Sequence, residues 1–334
     1  MVGDVSLLER VFSLPIQTVK SIPPSCHLAF AQTLACALRK VVDSPGSIEN
    51  WVKLLLLPRC TLRVVKPSTR QERRSGNRKS LQCSSIQQAL AVWKDGSGFA
   101  DLVLSLFDNV GGSTFSKREM GGEEDSKNNL NIKQCLRKVS DGHFTAAVKV
   151  LCSSGVAPLG DSTMKALIDK HPVVPPPSLP SSSVALPTLS VDGDCVLRCI
   201  RSFPKGTSCG RDGMRAQHLL DALSGEGSVT SMGLLSAITE VVNLWLGGLC
   251  PKVLAEFIAS APLTPLLKPD NGIRPIAVGA IWRRLVSKVA MKMVGKEMTQ
   301  YLGNFQFGVG TPNGAEAVLH SATRFLTPFT RMVL

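Results

Sequence analysis

The most informative stretch of the sequence reads Ile258-Ala-Ser-Ala-Pro-Leu-Thr-Pro-Leu-Leu-Lys-Pro-Asp-Asn-Gly-Ile-Arg-Pro-Ile-Ala-Val-Gly279. Two short apolar runs flank a cluster of proline, aspartate, asparagine and glycine, a composition that favours a turn. The stretch therefore predicts a β-hairpin. Pro265 and Pro275 cannot donate a backbone hydrogen bond, which confines the two strands to the edge of a sheet. Lys268 and Arg274 flank the turn, so two cations lie near the tip of the hairpin.

A long helix is predicted directly after the hairpin, from about Ala280 to Leu302. Its apolar side chains form one stripe at helical spacing, made of Trp282, Leu285, Val286, Val289 and Met293. Its basic side chains form a second stripe at intervals of four, made of Arg284, Lys288, Lys292 and Lys296. Like charges at this spacing repel by roughly a few tenths of a kcal/mol per pair. The basic stripe therefore indicates an anionic partner, although a need for solubility would also account for it.

Helical periodicity dominates the rest of the sequence as well, which predicts a mostly α fold. We expect a helical region over 1–170, with a basic loop at 63–79 and a polar insert at 111–129. Residues 171–190 contain six prolines and five serines but no charge, a composition typical of a linker. Residues 191–334, which include the hairpin, then form an α+β region.

The chain is strongly basic, since 38 lysines and arginines against 25 acidic residues give a formal charge of +13. Seven basic residues and one acid occupy the predicted loop at 63–79, where they either contact phosphates or are simply solvated. Aromatic residues make up only 5% of the chain, which argues against a surface built for base stacking. The expected partner is a nucleic acid, RNA or DNA, that is held through its phosphates and released by salt.

The sequence also argues against secreted and membrane-bound classes of protein. Its ten cysteines are scattered and do not form the framework of a disulfide-rich domain. The acidic N-terminus does not resemble a signal peptide, and no apolar run reaches the roughly 18–20 residues that span a bilayer. We therefore expect an intracellular protein, nuclear or cytoplasmic, without a membrane partner.

Three local patterns invite a ligand or a catalytic role and are better explained without one. Cys195 and Cys199 share a helix face, but zinc would need a second pair of ligands, so we interpret them as small apolar residues. The glycine-rich turn Gly308–Gly314 lacks the preceding strand and downstream acid of a dinucleotide-binding motif. The carboxylates of Asp192-Gly-Asp194 are interpreted as caps of a helix start.

Three blocks of the sequence resemble a known family when they are taken together. They are Arg211-Asp-Gly-Met-Arg-Ala-Gln-His-Leu-Leu, then Lys268-Pro-Asp-Asn-Gly-Ile-Arg-Pro-Ile-Ala-Val, and finally Gln306-Phe-Gly-Val-Gly with Gly314-Ala-Glu-Ala. In this order they are similar to the fingers-side blocks of the reverse transcriptase domain of non-LTR (LINE-type) retrotransposons. The resemblance covers about residues 190–326, and it makes 191–334 a partial, fingers-like reverse transcriptase domain.

The resemblance implies roles for individual residues. Lys268 and Arg274 match the hairpin cations that contact the triphosphate of the incoming nucleotide, and a guanidinium is suited to clamping phosphoryl oxygens. Gln306 and Gly308 match the block that shapes the template and nucleotide pocket. The basic stripe of the long helix would lie along the nucleic-acid backbone.

The activity of the family is RNA-directed DNA polymerisation, which uses two magnesium ions held by aspartates of the palm. This chain ends before the first of these aspartates, and no Tyr/Phe-x-Asp-Asp turn occurs in it. We therefore assign no catalytic residue, metal ligand or cofactor, and expect a truncated reverse-transcriptase-like protein that binds nucleic acid without catalysis. The alternatives are a basic nucleic-acid-binding protein or a helical scaffold protein unrelated to polymerases.

Overall fold

The computed structural model describes residues 4–95, 98–108, 123–140, 142–175, 188–224, 228–270, 272–303 and 306–330. The helices in these ranges are α1 (Val5–Ser13), α2 (His27–Asp43), α3 (Ile48–Thr61), α4 (Ser75–Lys94), α5 (Phe99–Asp108), α6 (Glu123–Ser140), α7 (Phe144–Leu151), α8 (Asp161–Lys170), α9 (Gly193–Arg201), α10 (Ala216–Leu223), α11 (Ser228–Leu246), α12 (Ala255–Ala259), α13 (Ile281–Leu302) and α14 (Gly314–Thr330). Two strands, β1 (Leu263–Leu267) and β2 (Ile273–Ala277), form an antiparallel sheet between α12 and α13. The predicted mostly α fold with a short β-hairpin is confirmed.

The apolar core is centred on α2, which packs against both α3 and α11. Phe30 and Leu34 of α2 are fully buried, as are Ile238 and Val242 of α11. This single core therefore contains side chains from before and after the predicted linker at 171–190. Residues 176–187 of that linker lie outside the described ranges, and the division into two regions stays a prediction.

Helix α13 begins one residue after the predicted start and ends at the predicted residue, Leu302. Its apolar stripe faces the core, with Trp282, Leu285 and Val289 buried. This stripe packs against α9, α11 and α12. Burial of the stripe fixes how the helix is rotated about its axis, and so fixes the direction in which its basic stripe points.

The predicted basic loop at 63–79 is shorter in the structure, because α4 already begins at Ser75. Arg78 and Lys79 thus lie on a helix. Arginine and lysine are good helix formers, and Ile86 and Leu90 anchor the same helix in the core. Most of the predicted polar insert at 111–129 lies outside the described residues, and its last part belongs to α6.

The hairpin pairs Pro265 directly with Pro275. The carbonyl of Pro265 accepts a hydrogen bond from the Ala157 N–H at 2.8 Å, so the backbone polar groups of Pro265 point away from β2. The two prolines therefore occupy a pair that makes no hydrogen bond across the hairpin, where a missing N–H costs no bond. β1 also meets the segment before α8, where the Leu267 N–H donates to the Gly155 carbonyl at 2.9 Å.

No helix within the described ranges combines the length and the apolar character that a segment crossing a bilayer needs.

Candidate nucleic-acid interface

The tip of the hairpin is closed by two short hydrogen bonds. The Lys268 N–H donates to the Gly272 carbonyl at 2.8 Å, and the Asp270 carboxylate accepts from the Gly272 N–H at 3.0 Å. Leu266 pairs with Arg274 in the register of the sheet. Because side chains alternate between the two faces of a strand, Lys268 and Arg274 lie on the same face at diagonal positions. The structure therefore brings these two predicted cations together.

A cavity of about 620 Å³ opens where β2 ends and α13 begins. Its walls come from 277–279 and from the turn between α9 and α10, including Phe203 and Ser208. The first two turns of α13 contribute three cations: Arg283, Arg284 and Lys288. The cavity is thus positively charged along the α13 side.

Contacts with the turn and with α12 hold these cations in place. Arg284 donates from Nη1 to the Ser208 carbonyl at 3.1 Å, and its guanidinium carbon lies 5.5 Å from the centroid of the Phe203 ring. The Lys288 Nζ lies 5.0 Å from the same centroid. Both separations allow a favourable cation–π interaction. Arg283 donates to the Ala259 carbonyl at the end of α12.

A second cavity of about 540 Å³ lies between α9 and α13 and shares Lys288 with the first. Arg198 of α9 and Lys292 of α13 line it. We call the two cavities together the α9–α13 groove, whose five cations are Arg198, Arg283, Arg284, Lys288 and Lys292. In the described part of the chain, neither cavity is lined by an aspartate or a glutamate. The ion pairs found in the described residues lie elsewhere, at Arg39–Glu240 and Lys53–Glu49.

The predicted basic stripe of α13 maps onto this groove in part. Arg284 and Lys288 are half-buried, while Lys292 and Lys296 are exposed. Lys296 lies one turn further along and lines neither cavity. Sequence reasoning missed Arg283, which lies beside the predicted stripe, and Arg198, whose place in the groove depends on the packing of α9 against α13 and leaves no local signal.

Gln306 and Gly308 belong to a turn that is ordered by the Gln306 amide. The Gln306 Oε1 accepts from the Val309 N–H at 2.7 Å and from the Gly308 N–H at 3.1 Å, while Nε2 donates to the Val309 carbonyl at 2.9 Å. Both ends of the amide are therefore engaged within the turn. Gly308 is exposed, and neither residue lines the α9–α13 groove. Their role in a template pocket stays a prediction.

The first of the three blocks consists of a turn, residues 211–215, followed by the first residues of α10, and the turn is largely buried against the N-terminal helices. Arg59 of α3 donates from Nε to the Arg211 carbonyl at 2.6 Å, and the Thr18 hydroxyl donates to the Gly213 carbonyl at 2.7 Å. Gly213 has a φ of 78°, and a Cβ there would lie 2.7 Å from the Thr18 methyl group. Both the conformation and the lack of space thus require glycine at this position.

Asp212 lies at the centre of this turn and is almost completely buried. Its Oδ1 accepts from the Met214 N–H at 3.3 Å, whereas Oδ2 has no hydrogen-bond partner among the described atoms. Burial raises the pKa of the carboxyl to about 7, against the opposing effects of the Met214 N–H and the positive charge of Arg59.

Helix α10 fastens the N-terminal segment to this turn through two side chains. The His218 Nε2 donates to the Val19 carbonyl at 2.7 Å, and burial lowers the pKa of the imidazole to about 4. Asp221 accepts from the Ile22 N–H at 2.7 Å and from the Ser21 hydroxyl at 2.9 Å. His218 is therefore a neutral structural residue.

The remaining local expectations can be compared directly with the structure. Asp192 caps α9 as predicted, since its Oδ1 accepts from the Cys195 N–H at 2.7 Å. Cys199 is buried, which raises the pKa of its thiol. In the part of the chain that the structure describes, no three His, Cys, Asp or Glu side chains come together as a metal site.

Comparison with known proteins relates the chain to a retrotransposon. It is 28% identical over 123 residues to the retrotransposable element SLACS 132 kDa protein of Trypanosoma brucei gambiense. The match covers 36% of this chain and 10% of the trypanosome protein, so the chain spans about a tenth of the length of that relative. No protein-family model and no solved structure matches the chain.

Proposed function

We propose that this chain is the nucleic-acid-binding, fingers-side part of a retrotransposon-type reverse transcriptase domain. One observation carries the proposal: Lys268 and Arg274 share a face of a hairpin whose second strand leads into the α9–α13 groove. Ala277 lies at the rim of the groove, three residues after Arg274. About 10 Å of strand therefore separates Arg274 from the groove. The relationship to a retrotransposon protein supports the same function.

The chemistry of these residues suits phosphates better than bases. The guanidinium of Arg274 can form two parallel hydrogen bonds with phosphoryl oxygens, while Lys268 adds a compact charge beside it. This pair would hold the triphosphate of an incoming nucleotide. The cations of the groove would hold the backbone of a strand, because their spacing along α13 repeats with each helical turn.

The residues present do not fit the two magnesium ions of the family's reaction. The described residues supply no cluster of metal ligands, and the sequence contains no pair of adjacent aspartates. We therefore derive no catalytic step from this chain and propose that it binds nucleic acid on its own without polymerising it.

The salt dependence of RNA binding tests the role of the groove. With five phosphate contacts to a single strand, a plot of the logarithm of the association constant against the logarithm of the salt concentration should have a slope of about −3.5. The triple variant Arg284→Gln, Lys288→Gln, Lys292→Gln should reduce the magnitude of this slope by about 2, because three counterion-releasing contacts are lost. Fluorescence anisotropy with a labelled oligouridine of about 20 nucleotides measures both slopes.

A matched triple variant, Lys40→Gln, Lys149→Gln, Lys165→Gln, removes the same charge from exposed positions outside the groove. It should keep the wild-type slope to within about 0.7, the contribution of one contact. If both triple variants reduced the slope of the salt dependence equally, net charge, not the groove, would govern binding. Binding that does not weaken with salt would favour the helical scaffold.

A further inference from the structure

A separate cavity of about 310 Å³ lies on the other side of the turn between α9 and α10. Four parts of the chain form its wall: the segment before α2, the C-terminal half of α6, the turn at 205–207 and the start of α10. Each part contributes at least one cation, and the five cations are Lys20, Arg137, Lys138, Lys205 and Arg215. We call this the α6–α10 cavity.

Among the described residues, the lining of the α6–α10 cavity contains neither an acidic nor an aromatic side chain. Its other side chains include the amides of Gln134 and Gln217, which can donate hydrogen bonds to oxyanions, whereas the Ser21 and Thr207 hydroxyls already donate to Asp221 and to the Pro204 carbonyl. A nucleobase would find no ring to stack on, and a cationic ligand would be repelled. The lining therefore selects a compact polyanion, and phosphate oxygens match its donors in charge and geometry.

Several contacts hold this wall in place. The His143 Nε2 donates to the Lys205 carbonyl at 2.7 Å, and the Thr207 hydroxyl donates to the Pro204 carbonyl at 2.6 Å, so the turn at 205–207 is anchored from both sides. Asp221, behind the wall, accepts from Gln217 at 2.7 Å and from Ser21 at 2.9 Å. Hydrogen bonds thus hold both the turn at 205–207 and the start of α10.

Crowding of like charges also points to a ligand. The side chains of Arg137, Lys138, Lys205 and Arg215 repel one another around one small space, and a bound anion relieves that repulsion.

We infer that the α6–α10 cavity is a second phosphate-binding site, which takes two or more adjacent phosphates. These phosphates belong either to a nucleic-acid strand or to a free oligophosphate. The turn at 203–208 separates the two sites: Phe203 and Ser208 face the α9–α13 groove, while Lys205 and Thr207 face the cavity. A strand leaving the groove could cross this turn into the cavity.

Titration calorimetry with inorganic tripolyphosphate tests the site without relying on the groove. The background variant carries Arg284→Gln, Lys288→Gln and Lys292→Gln in the groove together with Lys268→Gln and Arg274→Gln in the hairpin, and it should still bind one tripolyphosphate. Adding Lys138→Gln and Lys205→Gln should weaken this binding at least about tenfold, because two charge-assisted contacts are lost. The control pair Lys133→Gln and Lys252→Gln, exposed and outside the cavity, should change it less than about twofold.

Absence of tripolyphosphate binding in this background, or equal weakening by the control pair, would overturn the inference. Circular dichroism checks that each variant is folded, and Arg137→Gln, at an exposed lining position, is a second probe of the cavity. Oligouridine binding distinguishes the two sources of phosphate. If a strand occupies the cavity, Lys138→Gln with Lys205→Gln weakens RNA binding in a protein with an intact groove; if a free oligophosphate does, RNA binding is unchanged. If the groove proved not to bind RNA, the tripolyphosphate result for the α6–α10 cavity would still stand.

Discussion

Asp212 and His218 are buried titratable residues on either side of the turn that begins α10, and their pKa values are shifted in opposite senses. Burial raises the pKa of Asp212 from 3.8 to about 7 and lowers that of His218 from 6.5 to about 4. Each residue is therefore neutral in the folded protein over a range of pH in which it is charged in the unfolded chain. Ionisation of either group in the folded protein therefore lowers the stability of the turn.

The two shifts make opposite contributions to the pH dependence of stability. The stability that Asp212 contributes is fully present below about pH 4. It is lost as the pH rises to about 7, because in that range only the folded state holds the proton. For His218, stability is present above pH 6.5 and is lost as the pH falls to about 4, because only the unfolded state binds the proton. The two contributions nearly cancel between about pH 4 and 6.5.

Because the two contributions nearly cancel, replacing either residue should reveal the pH dependence of stability that the other residue contributes. Relative to wild type, Asp212→Asn should make the free energy of unfolding rise by about 1.4 kcal/mol more per pH unit between about pH 4 and 7. His218→Gln, which keeps a donor near the Val19 carbonyl, should make it fall by about 1.4 kcal/mol more per pH unit between about pH 4 and 6.5. Urea unfolding at several pH values measures both slopes. Asp169→Asn, at an exposed position, is the control, and slopes that match it would contradict the shifts.

At the scale of secondary-structure elements, the hairpin and α13 together present six cations, two placed by the turn of the hairpin and four by the helix. Local sequence was sufficient to predict much of this, because turn composition and helical periodicity are properties of neighbouring residues. The bounds of α13 and its apolar face were predicted for that reason. Arg198 in the groove and all five cations of the α6–α10 cavity were not predicted as sites, since they meet only through packing between segments far apart in sequence.

The hairpin cations should be needed for nucleotide binding and not for folding. The double variant Lys268→Gln, Arg274→Gln should weaken binding of a nucleoside triphosphate by at least about tenfold, since both charged contacts with the triphosphate disappear. Fluorescence of a labelled nucleotide measures the loss, and Lys149→Gln with Lys165→Gln serves as a charge-matched control. Primer extension on a primed RNA template should yield no product with the wild-type chain. Extension that depends on Lys268 and Arg274 would instead show that this chain polymerises.

On the scale of the whole molecule, ten of the 38 basic residues converge on the α9–α13 groove and the α6–α10 cavity, neither of which has a lining carboxylate among the described residues. The α9–α13 groove and the α6–α10 cavity contribute five each. The turn between α9 and α10 separates them, and the N-terminal segment braces that turn through Thr18 and Val19. Placement of the cations therefore depends on contacts between the regions before and after 171–190.

The same contacts imply that the two regions unfold together. Trp51 of α3 and Trp245 of α11 have ring centroids 6.1 Å apart, so a pair of tryptophans spans the regions directly. We consider variants that keep only Trp51 or only Trp282, with the other tryptophans changed to phenylalanine. Each should lose stability, because a smaller side chain replaces a large buried one. Within each variant, however, the urea midpoint from tryptophan fluorescence should coincide with that from circular dichroism, because both signals report one cooperative transition. A fluorescence midpoint that precedes or follows the loss of helix in either variant would show that the regions before and after 171–190 unfold independently, and that the shared core does not couple them.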